Sequence, residues 1–299
     1  MIFLKSLSKT YYVRQQNPFK HRENGILGNA VLNRFLKPEI YIKVTVSIIT
    51  VCYNSEKYIR FAIESVLNQT YENIEYIIVD GNSSDATVDI VRSYESLFNG
   101  RMRWVSEKDE GIYDAMNKGI ALATGDMIGI LNSDDSYINS IVITKVVECF
   151  REKYVDAVYG DLLYIRANNN DRIQRYWKSG LYKKNAFMWG WMPPHPAFFV
   201  RKGVYEKFGC FNTNFTSAAD YEFMLRIIHK GNIKVAYLPE ILVKMRIGGK
   251  SNQSLKNRTR GNNEDIKAWE INGLHPYFFT RYLKPVRKIL QYIRRPILF

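Results

Sequence analysis

Leu131-Asn132-Ser133-Asp134-Asp135 follows directly on an apolar run and sets adjacent acidic side chains at its end. Carboxylates so placed suit a hard divalent cation, Mg2+ or Mn2+, which is held by one or two carboxylates while substrate phosphates supply further oxygens. The same residues also fit a solvated Asp-rich turn capping the next helix. Three other apolar runs end on Cys52-Tyr53-Asn54, Asp80-Gly81-Asn82 and Glu107–Gly111, so carboxylates gather at three of the four ends. That is a costly place for them unless something compensates the charge. Asp220, in Ala218-Ala219-Asp220-Tyr221-Glu222, opens a helical pattern, where its plain structural role is an N-cap. His195, in Pro193-Pro194-His195-Pro196, stands on a rigid approach to a strand, as a structural histidine or as an acceptor-site residue. Gly249-Lys250-Ser251 invites a P-loop reading, but that motif needs Gly where Lys244 stands. GxGxxG, HExxH, GxSxG and zinc-ligand spacings do not occur.

The elements that position these residues alternate. Val44–Val51 reads as a buried strand, Ile74–Val79 as a second apolar strand, and Met102–Ser106 and Met127–Leu131 as a third and a fourth strand. Between them, helices are expected over Ser55–Asn68, capped by Asn54 or Ser55, over Thr87–Tyr94 after the turn Asn82-Ser83-Ser84-Asp85, and over Ile112–Ala123. Strands alternating with helices imply an α/β fold with a parallel sheet covered on both faces, and ligands bind beyond the carboxyl ends of such strands. The second half is less regular. It reads as a helix at Ile141–Tyr154, strands at Ala157–Ile165, Ala197–Val200 and Ile233–Tyr237, and a helix at Asp220–Lys230 with Phe223, Met224, Ile227 and Ile228 inward. Arg166–Arg172 and the Gly- and Asn-rich Gly248–Asn263 read as loops, and residues 1–42 as an N-terminal extension.

The chain has 299 residues, 46% of them hydrophobic, which rules out a disordered polymer. The net charge of +14 calls for an anionic partner such as nucleic acid, a membrane surface or a phosphorylated substrate, or serves solubility alone. Cys52, Cys149 and Cys210 are odd in number and far apart, which indicates neither a disulfide framework nor a CxxC metal site and fits a reducing cytoplasm. No apolar run suits a signal peptide or reaches the ~18 residues of a membrane span. Near the C-terminus, Val286, Ile289, Leu290 and Ile293 share a face, with Arg287, Lys288, Arg294 and Arg295 supplying charge between Pro285 and Pro296. This pattern fits a helix lying on anionic lipid, and equally a helix packed on the domain. Tyr277, Phe278 and Phe279 just before it favour the headgroup region.

In order, Val46–Asn54, Ser65–Thr70, Val79–Thr87, Asp109–Gly119 and Ala123–Asp126 leading into the Asp pair resemble the family 2 glycosyltransferases, especially the bacterial ones that build colanic acid, capsule and O-antigen. The resemblance implies a GT-A, Rossmann-like nucleotide-sugar fold over 43–255, with a donor half 43–135, an acceptor half 136–255 and a basic helical tail 256–299. It implies donor contacts from Val51, Tyr53, Asp80, Asp109, Asp114, Asn117 and Asn132. A loop carrying Arg246 and Lys250 would close over the diphosphate. It implies Mg2+ or Mn2+ at Asp134 and Asp135, although Asn132 stands where the family often has Asp. It makes Asp220 the general base of an inverting transfer from a UDP-, GDP- or dTDP-sugar to a lipid-linked oligosaccharide. The expected place is the cytoplasm, peripheral on the inner face of the plasma membrane, with no nucleic-acid partner. The rivals are a nucleotidyltransferase, which calls for a Gly-rich basic loop where Tyr53-Asn54-Ser55-Glu56 stands, and a basic nucleic-acid-binding protein.

Overall fold

Every residue of β1 (Val46–Cys52) is buried, as a strand covered on both faces requires. The computed structural model describes residues 43–166, 169–247 and 255–293. Met1–Val44 and Thr45–Phe299 form two units, and the second holds every described strand and helix; the extension 1–42 lies outside the described residues. Parallel to β1 run β2 (Ile74–Asp80), β3 (Met102–Ser106) and β4 (Met127–Ile130), in the order β3-β2-β1-β4. Their register sets Cys52 beside Asp80 and Asp80 beside Ser106, so the polar strand ends come out at one edge. Helices α1 (Ile59–Leu67), α2 (Thr87–Tyr94) and α3 (Ile112–Leu122) join them. α3 lies close because Gly119 has no Cβ; one would stand 2.4 Å from Ile49 Cγ2.

The start of α1 differs from the sequence expectation. Ser55–Tyr58 forms a turn, with the Ser55 carbonyl accepting from the Tyr58 and Ile59 amides. Asn54 and Ser55 do not cap the helix, because both are engaged across the loop: Asn54 Oδ1 accepts from the Ser84 amide at 2.9 Å, and the Ser55 amide donates to Thr87 Oγ1 at 2.7 Å.

Beyond β5 (Ser136–Tyr137) and α4 (Val142–Lys153) the sheet becomes mixed. β8 (Phe198–Arg201) lies antiparallel between β4 and β6 (Ala157–Arg166), and β6 pairs parallel with β9 (Val235–Arg246). The expected loop 166–172 is instead the head of a hairpin, because β7 (Asn169–Trp177) pairs with β6. Cross-strand contacts hold this polar strand: Trp177 stacks on Tyr164, and the Arg175 guanidinium sits 3.6 Å from the Tyr164 ring centre. β9 also runs nine residues past the expected Tyr237. The expected strand stops short of Pro239, but this proline falls opposite a register shift between Tyr159 and Asp161, where no ladder bond is required of it.

After α5 (Lys202–Phe208), α6 (Ala219–Met224) continues as a wider π-type turn to Lys230, with Phe223, Met224, Ile227 and Ile228 buried. The expected loop 248–263 gives way at Leu255 to α7 (Leu255–Ile271). Packing, not propensity, makes this helix: Ala268 and Trp269 join the core, and Trp269 Nε1 donates to the Tyr221 hydroxyl at 2.9 Å. α8 (Thr280–Ile293) begins earlier than Pro285, which lies inside it. Proline removes a helix hydrogen bond, but side chains fix the first turn: Thr280 Oγ1 donates to the Met188 carbonyl and Lys284 pairs with Asp265, each at 2.7 Å.

Candidate active site

The loops after β1, β2 and β3 build one corner. A Cβ on Gly81 would meet Asp109 Oδ2 at 2.3 Å and Tyr53 Cδ2 at 3.5 Å, so the backbone at 81, the exposed Tyr53 ring and the Asp109 carboxylate lie together. Asp109 accepts from the Gly111 amide at 2.9 Å, shaping the turn into α3. Asp80 is close by but fully engaged. It takes the Ser83 amide (2.9 Å), the Ser83 hydroxyl, the Ser106 hydroxyl (2.7 Å) and the Cys52 thiol (3.5 Å), and is buried. Desolvation, followed by the Asp80 charge, pushes the Cys52 thiol far above its ordinary range, so it stays protonated and donates. Val51 turns its side chain into the core. Asp114 reaches back to the Glu110 amide (3.1 Å) and pairs with Lys118, while Asn117 holds both main-chain groups of Phe211, at 2.9 and 3.0 Å. Asn117 thereby ties α3 to the segment before α6.

The acidic corner follows β4. Asn132 Nδ2 donates to Asp135 Oδ2 at 2.9 Å, and Ser133 meets Ser55 hydroxyl to hydroxyl at 3.0 Å, joining the ends of β4 and β1. Asp135 is wholly buried; burial, then the neighbouring Asp134 charge, raises its carboxyl well above the usual range, and burial also raises Asp134. Arg246, at the end of β9, opposes both shifts. Its guanidinium lies over the Phe61 and Tyr58 rings, 4.4 and 5.2 Å from their centres. A divalent cation fits this corner: Asn132 Oδ1 and Asp135 Oδ1 are buried oxygens that accept no hydrogen bond among the described residues. No cluster of three or more His, Cys, Asp or Glu among the described residues could hold a metal alone, so a cation here would need further oxygens from a bound ligand. Lys250 lies outside the described residues.

The third corner is Asp220. It sits in the first turn of α6, whose N-cap is Ala218, so Asp220 is not the cap that its position in the sequence allowed. Its Oδ1 accepts from the Tyr113 hydroxyl at 3.2 Å, and among the described residues Oδ2 accepts nothing. Burial, then the Asp220 charge, raises the Tyr113 phenol, which keeps it a donor. Burial lowers the His195 pKa against an opposing pull from Asp220, leaving a neutral imidazole packed edge-on against Phe211 at 5.7 Å. Glu222 points elsewhere, into a two-point pair with Arg226 (2.9 and 3.0 Å) and a bond from Asn272. Glu264 of α7 accepts the Thr216 and Ser217 amides (3.1 and 2.8 Å) and so fixes the approach to Asp220. Sequence reasoning gave no role to Tyr113 or Glu264. Tyr113 stood inside a recognised stretch, but Glu264 sits next to the Asn-rich segment read as loop and gave no signal.

Residues 47–209 match the model of glycosyl transferase family 2. A PGL/p-HBAD biosynthesis glycosyltransferase of Mycobacterium bovis is 29% identical over 215 residues, covering 69% of this chain and 78% of that one. Among solved structures, S. aureus TarS 1–349 in complex with UDP-GlcNAc aligns with a TM-score of 0.59 at 18% identity, over 76% of this chain and 65% of TarS 1–349, a little under two thirds. The mannosyltransferase PcManGT from Pyrobaculum calidifontis, in complex with GDP-Man and Mn2+, aligns with a TM-score of 0.58 at 16% identity, over 91% of this chain and 84% of that one. These structural likenesses establish the GT-A fold. With the family match across more than half its length, the chain belongs to the family 2 glycosyltransferases.

Proposed function

We propose that this glycosyltransferase moves one sugar from a nucleoside-diphosphate donor to a hydroxyl of a lipid-linked saccharide, with inversion, in the building of a surface polysaccharide. The carrying observation is the Tyr113–Asp220 hydrogen bond, which ties a carboxylate with an open oxygen to the helix that begins at the donor corner. Asp220 Oδ2 takes the proton of the acceptor hydroxyl as that oxygen bonds to the anomeric carbon and the bond to the diphosphate breaks. Tyr113 and Glu264 are positioning residues: one orients the carboxylate, the other the turn that carries it. His195, which burial keeps neutral against the pull of the Asp220 charge, contacts the acceptor in this reading. Tyr53, Gly81 and Asp109 receive the nucleoside. Arg246 brings positive charge to the side where the diphosphate leaves. Asn132, Asp134 and Asp135 would hold Mg2+ or Mn2+, which when bound neutralises charge on the departing diphosphate. The TarS and PcManGT complexes, with UDP-GlcNAc and with GDP-Man and Mn2+, support a nucleotide-sugar donor and a divalent cation.

A thermal-shift screen of UDP-, GDP- and dTDP-sugars, with and without Mn2+, tests the donor, because a ligand of the native state raises Tm by mass action. One donor should stand out and its shift should grow with Mn2+. No shift from any of them would overturn the reading.

A further inference from the structure

α8 docks on its own domain by its polar side. Thr280, Lys284 and the exposed Arg287 bond back to the domain, to the Met188 carbonyl, Asp265 and the Trp189 carbonyl respectively. Tyr282, Val286 and Ile289 are instead 55%, 53% and 59% exposed. Their spacing puts them on one helical face, and Phe278, 86% exposed, stands four residues before Tyr282. A surface helix ordinarily turns such a stripe to the core; here it is turned to solvent. The apolar surface continues through exposed Trp189, whose ring meets those of Tyr277 and Phe279 at 6.2 and 5.5 Å. Beyond it lies a groove of about 1020 Å³ whose walls include exposed Leu181, Lys183 and Lys184, with Arg287 on the α8 side.

The exposed charge on this face is positive. Neither 172–205 nor 271–293 contains an Asp or Glu, and the Asp265 carboxylate beside Phe278 and Arg281 is paired with Lys284. Among the described residues here, Lys183, Lys184, Arg281 and Lys288 are exposed. We propose that this face seats the enzyme on an anionic lipid bilayer. Phe278, Trp189 and the α8 stripe enter the headgroup region while the lysines and arginines meet lipid phosphates. Exposed rings and aliphatics set among exposed lysines and arginines match the headgroup region of an anionic bilayer. This inference rests on the lipid-linked acceptor proposed above and names the surface at which it is met. Lys284, the anchor of α8, lies 4.0 Å from the ring centre of Tyr221, the residue after Asp220, so the docking helix packs directly on the helix carrying the base.

The test is co-sedimentation of the full chain with vesicles of phosphatidylcholine alone, or with about one third phosphatidylglycerol. Three paired variants accompany the wild type: Val286→Ser with Ile289→Ser, Phe278→Ser with Trp189→Ser, and Lys183→Glu with Lys184→Glu. The altered side chains are exposed, so Tm should hold. Binding should need the anionic lipid, weaken with salt, and fall roughly tenfold or more in each pair. Absence of binding to anionic vesicles, or wild-type binding by all three pairs, would overturn the proposal. So would sedimentation velocity showing a dimer that the Val286→Ser/Ile289→Ser pair dissolves while vesicle binding stays unchanged. Donor-induced Tm shifts on the same samples report the glycosyltransferase reading separately, since docking can fail while the donor still binds.

Discussion

Asp80, at the end of β2, and Asp135, beyond β4, flank the same central strand, and both are buried. Asp80 accepts four hydrogen bonds, from Ser83, Ser106 and Cys52. Asp135 has support from Asn132 and from the Arg246 main chain, an Oδ1 that accepts no hydrogen bond among the described residues, and a pKa that burial still raises. Helix α6 repeats the contrast, with Glu222 locked to Arg226 and Asn272 while Asp220 keeps an oxygen open. A satisfied carboxylate holds structure together. A buried carboxylate oxygen without a partner, as in Asp135, carries a cost that a ligand can relieve, and a half-buried one with an open oxygen, as in Asp220, is free to meet one. Replacing the first kind should therefore damage stability, and replacing the second should damage turnover or ligand binding.

The sharpest break is at Asp220. Asp220→Asn keeps the shape, and the amide oxygen can still accept from Tyr113, but it cannot take a proton. kcat should fall by about two to four orders of magnitude while donor affinity and Tm hold. Near-normal turnover would move the base elsewhere. Glu222→Ala should do the opposite. It leaves the Arg226 charge without its buried partner, which costs about 3 kcal/mol, the low end of the range because Arg226 is partly exposed. The loss is read as a lower urea midpoint, with kcat on the remaining folded enzyme near wild type.

How far these differences could be read beforehand depends on their range. β1, β2 and β4 and the acidic ends beyond them were legible because each is a buried run whose partners lie in neighbouring βα units, and β3, half-buried to exposed past Met102, was legible from the same alternation. The strand-end grouping of Asp80, Asp109, Asp134 and Asp135 follows from that. What each carboxylate does was not legible: Ser106 meets Asp80 across 26 residues, and Tyr113 meets Asp220 across 107. No local pattern encodes such pairs. The hairpin strand β7, the end of β9 and α7 were misread for the same reason. Arg175 on Tyr164, the bulge opposite Pro239 and Trp269 against Tyr221 are tertiary contacts that override a polar, Pro-interrupted or Asn-rich sequence.

At Asp135 the comparison predicts a gain along with a loss. Asp135→Asn removes a carboxylate whose ionised form is strained by burial and by Asp134. Tm without ligands should stay level or rise. The Mn2+-dependent part of donor binding should weaken, on the order of 10- to 100-fold, as expected when support of a metal site is lost. A fall in Tm with undiminished Mn2+ dependence would class Asp135 with Asp80 as structural and remove the contrast.

The smallest effect tests whether Asp220 bears on its surroundings as an open charge. Burial lowers the His195 pKa and Asp220 partly restores it. Below pH ~6.5 the unfolded chain protonates this histidine while the folded one resists. The unfolded state then binds more protons, so stability is lost as pH falls through the window between the ordinary and the lowered value, with a slope of at most about 1.4 kcal/mol per pH unit. Other shifted groups contribute to the pH profile: His229, lowered by burial, acts in the same sense, whereas Asp135, raised by burial, acts in the opposite one. The readout is therefore a difference between variants. His195→Gln should have a flatter loss of stability from pH 7 to 5 than the wild type. Asp220→Asn, which removes the charge that supports protonation, should push the His195 pKa lower still and extend the loss toward more acid pH. If Asp220→Asn leaves the pH profile of stability unchanged, the carboxylate and the imidazole are not electrostatically in contact, and His195 loses its place beside the base.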